Sequence, residues 1–131
     1  MLRNKNVIYS ILAFVSIAFI ILYIFVFQGL NNKIQDEIEG GDKVVLLFSA
    51  SWCTSCTKLK PALSHVLEEN PDLRYYEIGS NLNKLKKKVL FKKYKVYGIP
   101  TLLIFKEGKE FKRILGVKTE QELQEIFTSL N

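Results

Sequence analysis

Apolar residues run without a charge from Val7 to Phe27, a stretch of 21 positions that lacks a polar face. As a helix rising about 1.5 Å per residue it is roughly 31 Å long, matching a hydrocarbon core of about 30 Å. Secretory h-regions span about 7–15 residues and end at a small-x-small cleavage site. This run is longer and leads into Val26-Phe27-Gln28-Gly29-Leu30, so it reads as an uncleaved transmembrane anchor. A cleaved signal peptide is the alternative, and a buried core helix is opposed by the missing polar face.

Beyond the anchor the periodicity changes. Residues 31–42 are polar with Ile34 and Ile38 four apart and Gly40-Gly41 at the end, which predicts a short amphipathic helix closed by glycine. Residues 43–49, KVVLLFS, are almost continuously apolar, as in a central strand buried on both faces. A helix is predicted from about Cys53 to Asn70 with Leu59, Leu63 and Leu67 on one face and Pro61 inside it. A second strand is predicted over 73–78, then a helix over 81–94 with Leu82, Leu85, Val89 and Leu90 inward and lysines outward. Strand, helix, strand, helix points to parallel pairing. TLLIF at 101–105, the turn 106–109 and EFKRIL at 110–115 predict an antiparallel hairpin. Thr119 and Glu122 form a capping box for a last helix whose inner face is Leu123, Ile126, Phe127 and Leu130.

The division expected is a cytoplasmic flank at 1–6, the anchor at 7–27, a linker with the short helix at 28–42 and one folded domain at 43–131. The 103 residues after Gln28 are enough for one core and no more. A hydrophobic content of 48% excludes disorder, and two cysteines exclude a disulfide-stapled scaffold. Arg3, Lys5 and the amino terminus face no acid on the short flank, which places the N-terminus in the cytoplasm and the domain outside the cell membrane. The net charge of +6 includes seven lysines at positions 84–95. They form a solvated helix face or a dock for anionic lipid or cell-wall polymer, and nothing resembles a nucleic-acid module.

The candidate chemistry lies at Trp52-Cys53-Thr54-Ser55-Cys56, on a strand-to-helix junction. A helix N-terminus carries about half a positive charge and unpaired N–H groups, so the first thiol, Cys53, is the low-pKa nucleophile and Cys56, about one turn in, resolves. Cys53 thiolate attacks a substrate disulfide, and Cys56 then attacks Cys53 to release reduced substrate. His65 lies roughly 13 Å down the helix from Cys56, too far to complete a metal site, and none is expected. A bare C-x-x-C is shared with structural and metal-binding thiols, so its setting matters.

That setting resembles the thioredoxin family over roughly residues 34–130. The resemblance is carried by Ala50-Ser51-Trp52-Cys53-Thr54-Ser55-Cys56, Pro61, Gly98-Ile99-Pro100-Thr101, Gly108 and Gly116. It implies an α/β thioredoxin-like fold, a central mixed sheet flanked by helices, here preceded by one transmembrane helix. It also implies a cis Ile99-Pro100 bond opposite the cysteines, and a peptide groove formed by Trp52, Gly98, Ile99, Pro100 and the Gly116-Val117 turn. No cofactor is implied beyond the redox-active Cys53-Cys56 pair.

The chain departs from cytosolic thioredoxins where their buried aspartate falls on Leu47, and Glu77 in the next strand is the nearest substitute. With a raised pKa it would act as general base for Cys56; a solvated or lysine-paired glutamate is the alternative. Thr54-Ser55 replaces the usual Gly-Pro, leaving the redox potential and direction open, and the family's first strand is missing. The expected function is reduction or exchange of disulfides in exported proteins, with protein disulfide or thiol substrates, a membrane redox partner and the bilayer around 7–27 as partners. A disulfide-forming oxidant and a non-catalytic peptide-binding export accessory are the rivals.

Overall fold

The computed structural model describes the backbone of residues 2–131 and the side chains of residues 4–26, 29 and 32–131. Met1 and the side chains of Arg3 and Gln28, used above for orientation and for the linker boundary, lie outside the described residues. The chain divides into two compact units, Met1–Lys33 and Ile34–Asn131.

The first unit is helical, part of α1 (Leu2–Glu39). Within it Asn4–Val26, 23 residues of mean hydropathy 2.7 with none buried, is long and apolar enough to cross a membrane. A signal sequence near an N-terminus has the same properties. The separate short helix expected over 31–42 is instead the end of α1. Gly29 costs a helix only about 1 kcal/mol, and no proline accompanies it, so nothing there stops propagation. The predicted glycine stop does hold: Gly41 adopts φ +88° and the Gly40 amide donates to the Asp36 carbonyl at 2.8 Å.

The second unit contains β1 (Val44–Phe48), α2 (Thr54–Glu68), β2 (Arg74–Ile78), α3 (Lys84–Lys93), β3 (Thr101–Lys106), β4 (Lys109–Leu115) and α4 (Glu120–Thr128). The sheet order is β2-β1-β3-β4, with β1 and β2 parallel and the other two pairs antiparallel. It is the mixed sheet flanked by helices that the family resemblance implied, and among the described residues no strand precedes β1.

β1 is central, and all five of its side chains are fully buried, as its unbroken apolar run required. Burying each such side chain is worth about 1.5–3 kcal/mol. Strand alternation sends Val45 and Leu47 to one face, where they pack with Leu59, Leu63 and Val66 of α2, Leu102, Ile104 and Ile114 of the hairpin, and Leu123, Ile126 and Phe127 of α4. Phe48 points the other way, edge-on to Phe91 of α3 at 5.0 Å and to Tyr94 at 5.9 Å. Ile34 and Ile38, at the end of α1, are buried in this second unit.

The hairpin turns on Glu107 (φ 53°) and Gly108 (φ 77°), two consecutive left-handed residues between the paired Lys106 and Lys109, the turn that matches strand twist. The capping box at Thr119 and Glu122 is present in full. One prediction for α3 fails: Leu85 and Val89 are exposed, and the helix starts at Lys84 behind the cap Asn83. Leu90 is buried as expected, and the rest of the inner side is made by Phe91 and Tyr94, whose rings fill the space against Phe48.

Candidate active site

The backbone leaves β1 at Phe48, passes Ser49 and Ala50, and turns so that the Cys53 amide donates to the Ala50 carbonyl at 3.2 Å. Cys53 is the N-cap of α2, in extended conformation, and its sulfur accepts the Cys56 N–H at 3.1 Å. The strand end and the helix start therefore place this sulfur against unpaired helix amides, where a thiolate is stabilised. The two cysteines form a disulfide with Cα atoms 5.3 Å apart. Their exposure is unequal: Cys53 keeps 6% of its surface and Cys56 none, so an incoming sulfur reaches Cys53 first. Trp52 beside them is 79% exposed.

Ala50, Cys53 and Cys56 form one buried cluster against which Ile99 packs. The Ile99-Pro100 bond is cis and Pro100 is buried. This loop is held by the Thr101 hydroxyl donating to the Gly98 carbonyl at 2.7 Å and by the Gly116 amide donating to the Pro100 carbonyl at 2.9 Å. Gly116 sits at φ +92°, and Val117 after it is half-exposed. A Cβ at Gly98 would lie 3.1 Å from Leu115 Cδ1, so glycine permits that close approach. Two apolar side chains of this region escaped the sequence reading, Tyr97 at 91% exposure and Leu115 at 68%. Strand alternation in β4, Ile114 in and Leu115 out, was the available signal for the latter.

Glu77 pairs in register with Leu47, the position where the aspartate was missed. Its Oε1 accepts from Ser49 Oγ and from Lys60 Nζ, both at 2.7 Å. Partial burial pushes the carboxyl up, but the Lys60 and Ser49 hydrogen bonds and the Lys60 charge outweigh it and hold the pKa below its ordinary value. Of the two readings of Glu77 left open by the sequence, the raised pKa is corrected and the lysine-paired glutamate is what the fold builds. Ser49, buried, and Lys60, one turn beyond Cys56, were not picked out from the sequence. Gly79 is required beside them, since a Cβ there would meet Ser49 Oγ at 2.5 Å.

His65 is exposed, and its Nδ1 lies 2.6 Å from Glu120, which raises its pKa. Among the described residues no group of three or more His, Cys, Asp or Glu is arranged to hold a metal.

The sequence model of the Thioredoxin family matches residues 26–129. The chain belongs to the thioredoxin family. It is 34% identical over 97 residues to the thioredoxin of Chlamydia pneumoniae, covering 74% of this chain and 91% of that one. To the thioredoxin H-type of Fagopyrum esculentum it is 31% identical over 99 residues, 76% and 82% of the two chains. In fold it is similar to oxidised thioredoxin O2 from Arabidopsis thaliana, with a TM-score of 0.69 at 24% identity over 79% of this chain and 88% of that one. This thioredoxin-family domain is a thiol-disulfide oxidoreductase, and Cys53-Cys56 is its active-site pair. The family chemistry runs on that pair alone and acts on protein thiols and disulfides.

Proposed function

We propose that this chain is a membrane-tethered oxidoreductase that reduces or exchanges disulfides in exported proteins, with Cys53 attacking and Cys56 resolving. The observation that carries the assignment of roles is the position of Cys53: N-cap of α2, sulfur on the Cys56 amide, and the only one of the pair with exposed surface. In the reduced protein, Cys53 thiolate attacks one substrate sulfur, the S–S bond breaks, and the other substrate sulfur leaves as a thiolate. Cys56 then loses its proton and attacks Cys53, which expels the second substrate thiolate and leaves the protein disulfide. Two electrons must be resupplied for the next turnover, and outside the cell membrane a membrane redox partner would deliver them.

Glu77 enters this cycle as the carboxylate nearest in register to the missing aspartate. Lys60 and Ser49 hold its pKa low, so it is ionised across the neutral range, and this reading assigns it to take the Cys56 proton. Trp52, Gly98, Ile99, Pro100 and Val117 are assigned to the peptide groove, extended by the exposed Tyr97 and Leu115. Backbone and apolar contacts of this kind discriminate little, so substrate choice is broad. The tether reading assigns 1–6 to the cytoplasm, 7–27 to the bilayer, 28–42 to the linker and 43–131 to the exported domain; Asn4–Val26, an apolar segment with none of its residues buried, supports it.

Protease added to intact cells tests the location: the domain is digested if it is exported, and full protection overturns the reading. The equilibrium redox potential separates directions. A value near about −270 mV belongs to a reductant, whereas one near about −120 mV belongs to a disulfide donor and would overturn the reductive reading.

A further inference from the structure

The outer face of α3 sets exposed apolar side chains beside a row of lysines. Leu85 and Val89, four residues apart and hence stacked on one side of the helix, are 51% and 39% exposed. Lys84, Lys88 and Lys92 are exposed and form the adjoining row at the same spacing. From Ile78 to Lys106 the chain contains no Asp or Glu, so the seven lysines at 84–95 have no acid within their own segment; Glu39 acts on Lys93 at the helix end. The opposite side of α3 is occupied, with Leu90 buried and Phe91 against Phe48. Apolar side chains that helical spacing would place in the core thus stand in solvent beside a row of cations.

We propose that this face docks on anionic lipid headgroups, with Lys84, Lys88 and Lys92 reaching phosphates and Leu85 and Val89 entering the headgroup boundary. Charge complementarity favours such an occupant, and basic-apolar helix faces bind the interface through both contributions. Chain reach favours it over an acidic protein. Eight Cα-to-Cα steps, through seven intervening residues, separate Val26, where the apolar segment ends, from Ile34, where the folded unit begins. Even fully extended, at about 3.5 Å each, they hold the domain within about 28 Å of the bilayer, so the effective lipid concentration is permanently high. The inference rests on the anchor reading of residues 7–27.

The test is amine acylation of the full chain in lipid nanodiscs, read lysine by lysine by mass spectrometry. One disc is phosphatidylcholine and the other is one-third phosphatidylglycerol. Docking predicts several-fold slower labelling of Lys84, Lys88 and Lys92 in the anionic disc only, restored by high salt, with Lys58 and Lys112 unchanged. The double variant Leu85→Ser, Val89→Ser should lose part of that protection while its Lys60 labelling reports an intact fold. Equal labelling in both discs, or protection that salt does not reverse, overturns the docking. Co-elution with discs of either composition separates the two claims: a chain that elutes free of both refutes the anchor, and one that co-elutes but labels equally refutes only the docking.

Discussion

Tyr94 is the least satisfied polar group in the domain, and removing its hydroxyl should stabilise the protein. The residue keeps only 9% of its surface, and its ring packs edge-on against Phe48 at 5.9 Å and Phe105 at 5.8 Å. Its hydroxyl is buried with no hydrogen-bond partner among the described residues. A buried unbonded hydroxyl costs about 1–3 kcal/mol, and Tyr94→Phe deletes it while retaining the ring contacts. We therefore expect a gain of about 1 kcal/mol, which for a domain of this size raises Tm by roughly 4–8 °C. The gain should also depend on pH. Burial pushes the Tyr94 pKa up to about 12, so between the unfolded value near 10 and that value the unfolded chain releases a proton that the native chain retains. Stability of the wild type then falls as pH rises above about 10, by roughly 1 kcal/mol at pH 11, and the variant escapes that loss. Tyr75, also raised by burial, contributes equally to both proteins and cancels in the difference. Urea unfolding of the full oxidised chain in detergent, followed by near-ultraviolet circular dichroism at pH 7 and pH 11, measures both quantities. A loss of 1 kcal/mol or more in Tyr94→Phe at pH 7, or a difference that does not widen by pH 11, refutes the reasoning.

Three further substitutions probe the site's support and the fold. Gly79→Ala sets a methyl 2.5 Å from Ser49 Oγ and 3.1 Å from Glu77 Oε1; it should cost about 1–3 kcal/mol in urea unfolding, and a neutral result would show that the Ser49 and Glu77 pair yields freely. Glu77 has a lowered pKa, so it contributes stability that is present above its unfolded value near 4.3 and is lost as pH falls through its folded value. Lys60→Met should shrink that acid-side loss and raise the Glu77 titration midpoint, both read by carboxyl NMR; an unmoved midpoint would mean that the 2.7 Å pair is not formed in solution. Thr119→Ala removes the capping box of α4 and should destabilise the domain by about 1 kcal/mol in the same unfolding assay, with no effect on thiol exchange.

What could be read from the chain before its fold was known is what local chemistry specifies. The unbroken apolar run of β1, the capping box of α4 and the Glu107-Gly108 turn each carry their signal within a few residues, and each is where the pattern placed it. Trp52-Cys53-Thr54-Ser55-Cys56 is equally local. α3 was read correctly at Leu90 and misread at Leu85 and Val89, because two helical stripes compete in one short segment: Leu82, Leu85 and Val89 against Leu90 with Tyr94. The second wins through aromatic packing on Phe48, a residue more than forty positions earlier. Glu77 shows the same limit at the site. Its pKa is set by Ser49 and Lys60, 28 and 17 residues away, and no spacing rule connects them. Burial alone would raise that pKa, and the choice between a raised-pKa base and a lysine-paired glutamate, both open in the sequence, is decided by these distant partners. Leu115 and Tyr97 belong to a region assembled from three separated segments, so only its glycine and proline markers were visible beforehand.

The central claim is that Cys53 attacks and Cys56 resolves. The most direct measurement compares full-length Cys56→Ser and Cys53→Ser in intact cells quenched with acid, with mixed disulfides resolved on non-reducing gels. The account predicts that Cys56→Ser accumulates covalent complexes with exported proteins through Cys53, and that Cys53→Ser accumulates none. Complexes formed equally by both variants, or only by Cys53→Ser, would contradict it.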